Sequence, residues 1–228
     1  MSAADVLTAT RHLVAESRVS FRGTWELYEA LEQTLAEQHV RVAFDGERIE
    51  LMSPSQDHDD LKIQAALVVR AIAGGLGVAI RGCGSTTRKQ TPDRGIEPDD
   101  SFYLAREKIE AAAARRRGRK PDPSAPPGPV PDLAVEIDLS PSALDRASIY
   151  AALGVAEVWR YDGRRVQIER LMPGGRHEPI PESGWLVVRP EELESLLTDD
   201  YHEDNEFTDR VRAWARDVLL PRRNARPL

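Results

Sequence analysis

The chain has 228 residues, of which 41% are hydrophobic and 30% charged, and its net charge is −7. This length and composition predict one soluble domain, residues 1–228, with a full core. The acidic balance argues against a general nucleic-acid coat protein but allows a local basic face. No apolar run approaches the ~20 residues that cross a bilayer, and the first 18 residues lack the hydrophobic block of a secretory signal. With Cys83 as the single cysteine, we expect a cytoplasmic protein without disulfides, cysteine-held zinc or a membrane partner.

The first half of the chain predicts helices that alternate with strands. Thr24 is suited to cap a helix that runs to about His39. Two strands then flank the Asp45-Gly46 turn, and a helix from about Gln56 is expected to end at the Gly74-Gly75 pair. Three further strands are predicted, at 78–80, 85–89 and 99–104.

The second half begins with a short helix from about Glu107 and a basic, proline-rich loop at 115–131, which we expect to be solvated or to contact nucleic-acid backbone. The elements predicted after it are a strand at 133–137, a helix from Ser140 to Leu153, a hairpin at 155–171 and a short sheet element at 185–188. A helical tail is then expected over 190–228, with helices at 190–197 and 204–220 and a frayed end from Pro221. The pattern predicts an α/β or α+β fold with a mixed central sheet flanked by helices.

Acidic residues in a buried strand are the strongest chemical signal. Glu136 and Asp138 point the same way from the strand after Asp132. With Asp99 entering from another strand, they could hold a hard cation such as Mg²⁺. In the alternative interpretation, Asp132 caps the strand, and Glu136 and Asp138 lie at a solvated edge. Spacing alone leaves both open.

Four ordered motifs resemble the Uma-two family of predicted restriction-endonuclease-like proteins, and the resemblance covers residues 20–172. The first joins the hairpin DGERIELMSP (45–54) to His58, and the second is GIEPD (95–99). The third is PDLAVEID (131–138) followed by Ser140 to Ser142, and the last is YAALGVAEVWRYD (150–162).

The resemblance implies a fold similar to the PD-(D/E)XK nuclease core and metal-assisted hydrolysis of phosphodiester bonds in DNA. Asp99 and Glu136 would be the two principal acids and would bind Mg²⁺ or Mn²⁺, with Asp138 as a further metal ligand. Glu50 would add an acid from the N-terminal half. His58 would orient a water molecule or the phosphate.

The chain departs from the nuclease pattern at Asp138, where such enzymes commonly carry lysine. Lys62, one helical turn after His58, is the first candidate for the missing cation, and Arg146 is the second. The departure keeps open a catalytically inactive nuclease-fold protein that acts in nucleic-acid binding or regulation. A structural partner of another protein, with its acids pointing apart, is a third hypothesis. A homodimer would suit cleavage of both strands of a duplex.

Overall fold

The computed structural model describes residues 16–35, 38–85, 88–90, 93–116 and 128–225. The strands are β1 (Ser17–Arg22), β2 (Arg41–Phe44), β3 (Arg48–Ser53), β4 (Arg81–Gly82), β5 (Arg88–Gln90), β6 (Arg94–Ile96), β7 (Asp100–Tyr103), β8 (Leu133–Ile137), β9 (Glu157–Tyr161), β10 (Val166–Leu171) and β11 (His177–Pro179). The helices are α1 (Trp25–Leu35), α2 (Gln56–Leu76), α3 (Arg106–Arg116), α4 (Arg146–Leu153), α5 (Pro190–Leu197), α6 (Asp204–Trp214), a π-helix (Ala215–Leu219) and α7 (Leu220–Asn224).

The described strands form two sheets. The first is antiparallel throughout, in the order β1-β3-β2-β6-β5. The second has the order β11-β10-β9-β8-β7-β4, and its one parallel pair is β8 with β9. The predicted mixed α/β class is therefore confirmed, although the strands divide between two sheets where one central sheet was expected.

Three groups of buried apolar side chains hold these layers together. The largest lies between the six-stranded sheet and helices α2, α5 and α6, and another packs α1 on the antiparallel sheet. The third joins α4 to residues of both sheets, including Ala43 of β2, Ile96 of β6 and Ala134 of β8. Helix α4 thus packs where the two sheets approach each other.

Helix α2 begins as the sequence indicates and ends later. The Ser55 side chain caps it by accepting a hydrogen bond from the His58 backbone N–H at 3.1 Å. The helix continues through the glycine pair to Gly77, whose φ of 65° is the left-handed conformation of a helix end. A Cβ atom on Gly75 would lie 2.5 Å from the Arg212 carbonyl oxygen, so this glycine serves close packing against α6.

Other predicted boundaries were wrong for local reasons. Helix α4 begins at Arg146, because the Asp145 side chain caps it by accepting from the Ser148 N–H. The segment 185–188 forms a turn without a strand, with Val187 at a φ of 48°, and β11 provides the sheet edge. Strand β6 was not predicted, whereas 78–80 carries no strand. The C-terminal helix continues through Pro221 to Asn224, since proline is tolerated in a first helical turn.

Some predictions lie outside the described residues. The N-terminal lead-in before residue 16, positions 36–37 and 86–87, and the part of the basic loop at 117–127 belong to this group. Within the described part of the chain, no helix is long and apolar enough to cross a membrane.

Candidate functional site

The two principal acids of the predicted site lie side by side on neighbouring strands. In the antiparallel pair β7–β8, Asp100 faces Val135 and Ser101 faces Ala134. One further step of this register places Asp99 opposite Glu136, and directly opposed residues share a face of the sheet. Both side chains are 1% exposed, and both line one pocket of about 10 Å³, the space of roughly one water molecule.

Asp99 is held from three sides. Its Oδ1 atom accepts hydrogen bonds from the His58 Nε2 atom at 2.7 Å and from the Arg41 guanidinium, while Oδ2 accepts from the Ile137 N–H at 2.6 Å. Burial, with the positive charge of Arg41, lowers the pKa of His58 to about 4, although Glu16 acts in the opposite direction. His58 is therefore neutral at neutral pH and donates to Asp99.

Glu136 is held by two residues of helix α4. Arg146 and Tyr150 are four positions apart and so lie on one helix face. The Arg146 guanidinium donates to one carboxylate oxygen of Glu136, and the Tyr150 hydroxyl donates to the other. Burial raises the pKa of Glu136 above its ordinary value, and Arg146 opposes that rise.

Glu50 and Asp138 are joined by Arg18, whose guanidinium donates to Glu50 at 2.9 Å and to Asp138 at 3.0 Å. Glu50 also accepts from the Ser142 hydroxyl and from a backbone N–H of the loop before α4. Arg160 donates to Asp138 at 3.0 Å. Burial would raise the pKa of Asp138, but the surrounding guanidinium groups, Arg146 foremost, outweigh it and hold that pKa below its usual value.

These contacts define what we call the acid–arginine network, in which each of four acids is paired with at least one guanidinium. Its members are Arg18, Arg41, Glu50, Asp99, Glu136, Asp138, Arg146 and Arg160. The arrangement can neutralise a concentrated negative charge in a place with little access for solvent, and it leaves Arg41 at the edge of a larger cleft.

The oxygen donors of the network are of the type that binds a divalent cation, but their present arrangement does not fit one. Carboxylate oxygens are the ligands that Mg²⁺ and Mn²⁺ prefer. Guanidinium groups nevertheless contact Asp99 and Glu136 where a cation would bind, and Asp138 does not line their pocket. Among the residues that the structure describes, no three His, Cys, Asp or Glu side chains are arranged to hold one metal ion. Binding at Asp99 and Glu136 would require Arg41 and Arg146 to move.

The structure brings four of the five predicted catalytic residues into one pocket and places the fifth beside it. Glu50, His58, Asp99 and Glu136 line the small pocket, whereas Lys62 lies in an open cleft next to it. Arg146, the second candidate for a cation, contacts Glu136 directly. Asp132 joins the start of β8 to the segment before α3, since it accepts from the Leu104 and Ala105 N–H groups and from Lys108. The solvated edge of the alternative interpretation was wrong for Glu136, which is buried.

Sequence reasoning missed Arg18, Arg41 and Tyr150 as members of the site. A signal existed for Tyr150, because its spacing of four from Arg146 places both on one helix face. For Arg41 the signal was weaker: it begins a strand whose alternation puts it on the same side as Ala43, a residue of the core where the sheets meet. Arg18 precedes every motif, and only the pairing of β1 with β3 brings it to Glu50.

Comparison with known proteins assigns the family. The Uma2 family, described as "Putative restriction endonuclease", matches residues 25–199. A crystal structure described as a putative nuclease belonging to DUF820 from Anabaena variabilis ATCC 29413 is similar, with 16% identity over 77% of this chain and 99% of that chain and a TM-score of 0.47. No curated protein matches the chain.

The fold and the site together define a mixed α/β protein with a buried pair of acids on adjacent central strands. Because the family match spans well over half of its length, the chain belongs to the Uma2 family of restriction-endonuclease-like proteins. The resemblance drawn from the four sequence motifs is thereby confirmed.

Proposed function

We propose that this chain is a metal-dependent endonuclease that hydrolyses phosphodiester bonds in DNA, with Asp99 and Glu136 as its principal acids. One observation carries the proposal: Glu136 of strand β8 and Asp99, the residue before strand β7, line one small buried pocket. Membership of a family described as putative restriction endonucleases supports the reaction class.

The roles of the surrounding residues follow from their contacts. His58 and the Ile137 N–H orient Asp99. Tyr150 and Arg146 orient Glu136 and offset its charge. Glu50 remains the additional acid, and Asp138 the third candidate ligand, in the proposed site. A divalent cation held by Asp99 and Glu136 would polarise the phosphate and activate a water molecule.

Plasmid nicking with Mg²⁺, Mn²⁺ or chelator tests the proposal. We expect the wild type to nick in the presence of cation. Glu136→Gln and Asp99→Asn should lose more activity than the roughly 10- to 100-fold that follows loss of a group outside the ligand set. Asp209→Asn is the matched control, because Asp209 is exposed and pairs with Arg212 within α6.

Calorimetry with Mn²⁺ separates binding from cleavage. The proposal expects heat of binding in the wild type and its loss in Glu136→Gln, with thermal melts showing that both proteins are folded. A wild type that neither binds cation nor nicks plasmid would overturn the proposal.

The second candidate is a catalytically inactive nuclease-fold protein that binds nucleic acid. It is favoured by the pairing of every acid in the network with arginine, since such a cluster is neutralised without a cation. Binding of an oligonucleotide with the same affinity in chelator and in Mn²⁺, together with an intact plasmid, would support it.

A homodimer is part of the proposal only for cleavage of both strands. Sedimentation of the wild type with and without a short duplex would test it. A monomer that produces nicks but no double-strand breaks would leave the hydrolase proposal intact and remove the dimer.

A further inference from the structure

Beside the acid pocket lies an open cleft of about 350 Å³, which we call the Lys62 cleft. Its wall includes Arg41, Lys62, Ser85, Glu97 and His39. The volume is in the range of sites that hold small ligands, and a single nucleotide is of that size. Arg41 and Glu97 line both the cleft and the acid pocket, so the two spaces share a wall.

Lys62 is the unusual side chain of this cleft. Most charged side chains nearby have partners: His39 lies 3.1 Å from Asp59, Glu32 pairs with Lys89, and Arg41 contacts Asp99. Lys62 makes no hydrogen bond or ion pair to another residue in the described part of the chain. Burial and the nearby charge of Arg41 lower its pKa, the direction expected of two cations held close together with little water.

We propose that the Lys62 cleft is a phosphate-binding subsite for a nucleic-acid strand, with Lys62 and Arg41 as the groups that bind the phosphate. A phosphodiester carries the negative charge that would relieve the proximity of these two cations. The wall that the cleft shares with the acid pocket places the bound phosphate beside the acid pair. The inference rests on the proposed function and names the part of the site that holds the substrate.

Glu97 offers a second test of the phosphate subsite, because its removal should change binding in the opposite direction to removal of Lys62. Burial raises its pKa, while Arg41 and Lys62 oppose that rise. As an anion on the wall of the cleft, it offsets part of the cationic charge and repels phosphate. Its removal should therefore strengthen binding, whereas removal of Lys62 should weaken it.

The test measures the binding of a fluorescein-labelled single-stranded ten-nucleotide DNA by anisotropy, in chelator, over a series of salt concentrations. Lys62→Met should weaken binding and reduce the slope of log affinity against log salt by about 0.7, the value for one phosphate contact on a single strand. Glu97→Gln should bind more tightly than the wild type. Arg216→Gln, at an exposed cation in the π-helix that packs near the far end of α2, should bind as the wild type.

The outcomes separate this subsite from the hydrolase. If Lys62→Met binds with unchanged affinity and slope while the wild type binds and nicks, the subsite is overturned and the proposed function stands. If Lys62 governs binding but no nicking occurs, the subsite stands and the hydrolase proposal fails. A wild type that binds no strand in chelator overturns the subsite, and plasmid nicking then decides the hydrolase proposal by itself. Thermal melts of each variant guard against misfolding, and Lys62→Met retains most of the apolar stem of the side chain.

Discussion

Two fully buried glutamates lie on adjacent strands, and their surroundings differ in one respect. Glu136 of β8 is 1% exposed and Glu157 of β9 is 0% exposed. Glu157 accepts hydrogen bonds from neutral donors, namely the Trp159 indole at 2.8 Å, the Ser183 hydroxyl at 2.6 Å and the Gly184 N–H at 2.9 Å. Glu136 is bonded by a guanidinium and a phenol, and it shares its pocket with Asp99 and Glu50.

The difference teaches that burial alone does not mark a functional acid. Neutral donors satisfy one carboxylate and anchor the turn at 183–188, which is a structural task. Several acids in one pocket repel one another, and burying the arginines that offset them carries a desolvation penalty that favourable pairing only partly recovers. Such an arrangement is costly for stability, so a cluster of this kind is a better indication of function than any single buried acid.

The largest expected difference in stability between the two glutamates appears when the arginine nearest to each is removed. Arg146→Met leaves Glu136 without its buried partner and should lower the free energy of unfolding by about 3–5 kcal/mol. Arg170→Met should change it by no more than about 0.5 kcal/mol, because Arg170 is 45% exposed and lies 3.8 Å from Glu157. Urea denaturation measures both. Equal losses would show that the two glutamates are held alike.

A smaller loss of stability should follow removal of the hydroxyl group that donates to each glutamate. Tyr150→Phe and Ser183→Ala each remove one hydrogen bond to a buried carboxylate, which costs about 1.5–3 kcal/mol. Ser183→Ala also removes the acceptor of the Trp185 and Leu186 N–H groups, so it should lose at least as much stability as Tyr150→Phe. Only Tyr150→Phe should also lower nicking and Mn²⁺ affinity, since only it disturbs an acid of the proposed site. A loss of nicking in Ser183→Ala at a temperature where it is folded would contradict the comparison.

A smaller effect should appear in the pH dependence of stability. The pKa of His58 falls from an ordinary 6.5 to about 4 on folding, so between these values the unfolded chain binds more protons than the folded one. The stability that neutral His58 contributes is complete above pH 6.5 and is lost as the pH falls toward 4. Between pH 7 and pH 5 the wild type should lose about 1–2 kcal/mol more than His58→Gln. The prediction is wrong if the free energies of unfolding of the two proteins, measured by urea denaturation, change in parallel with pH.

Local sequence signals accounted for much of the fold. The hairpin at Asp45-Gly46, strand β8 and helix α5 were predicted within two residues, because turn residues, apolar runs and a proline at the helix start act over short distances. Helix α2 extends past its glycine pair because contact with α6 makes glycine necessary there. The division of the strands into two sheets depends on pairings such as β2 with β6, which join residues about fifty positions apart.

The acids of the candidate site were identifiable from the sequence, because carboxylates in apolar strands are rare and need a reason. Their partners were not. Arg18 reaches Asp138 across 120 positions, and Arg41 of the first sheet reaches Asp99 only because the fold brings the two sheets together. The sequence by itself thus identified the acids of the candidate site, but it left their burial open. Only the tertiary structure decided which cations neutralise them, because a long arginine side chain can pair with any acid that the fold brings within its reach.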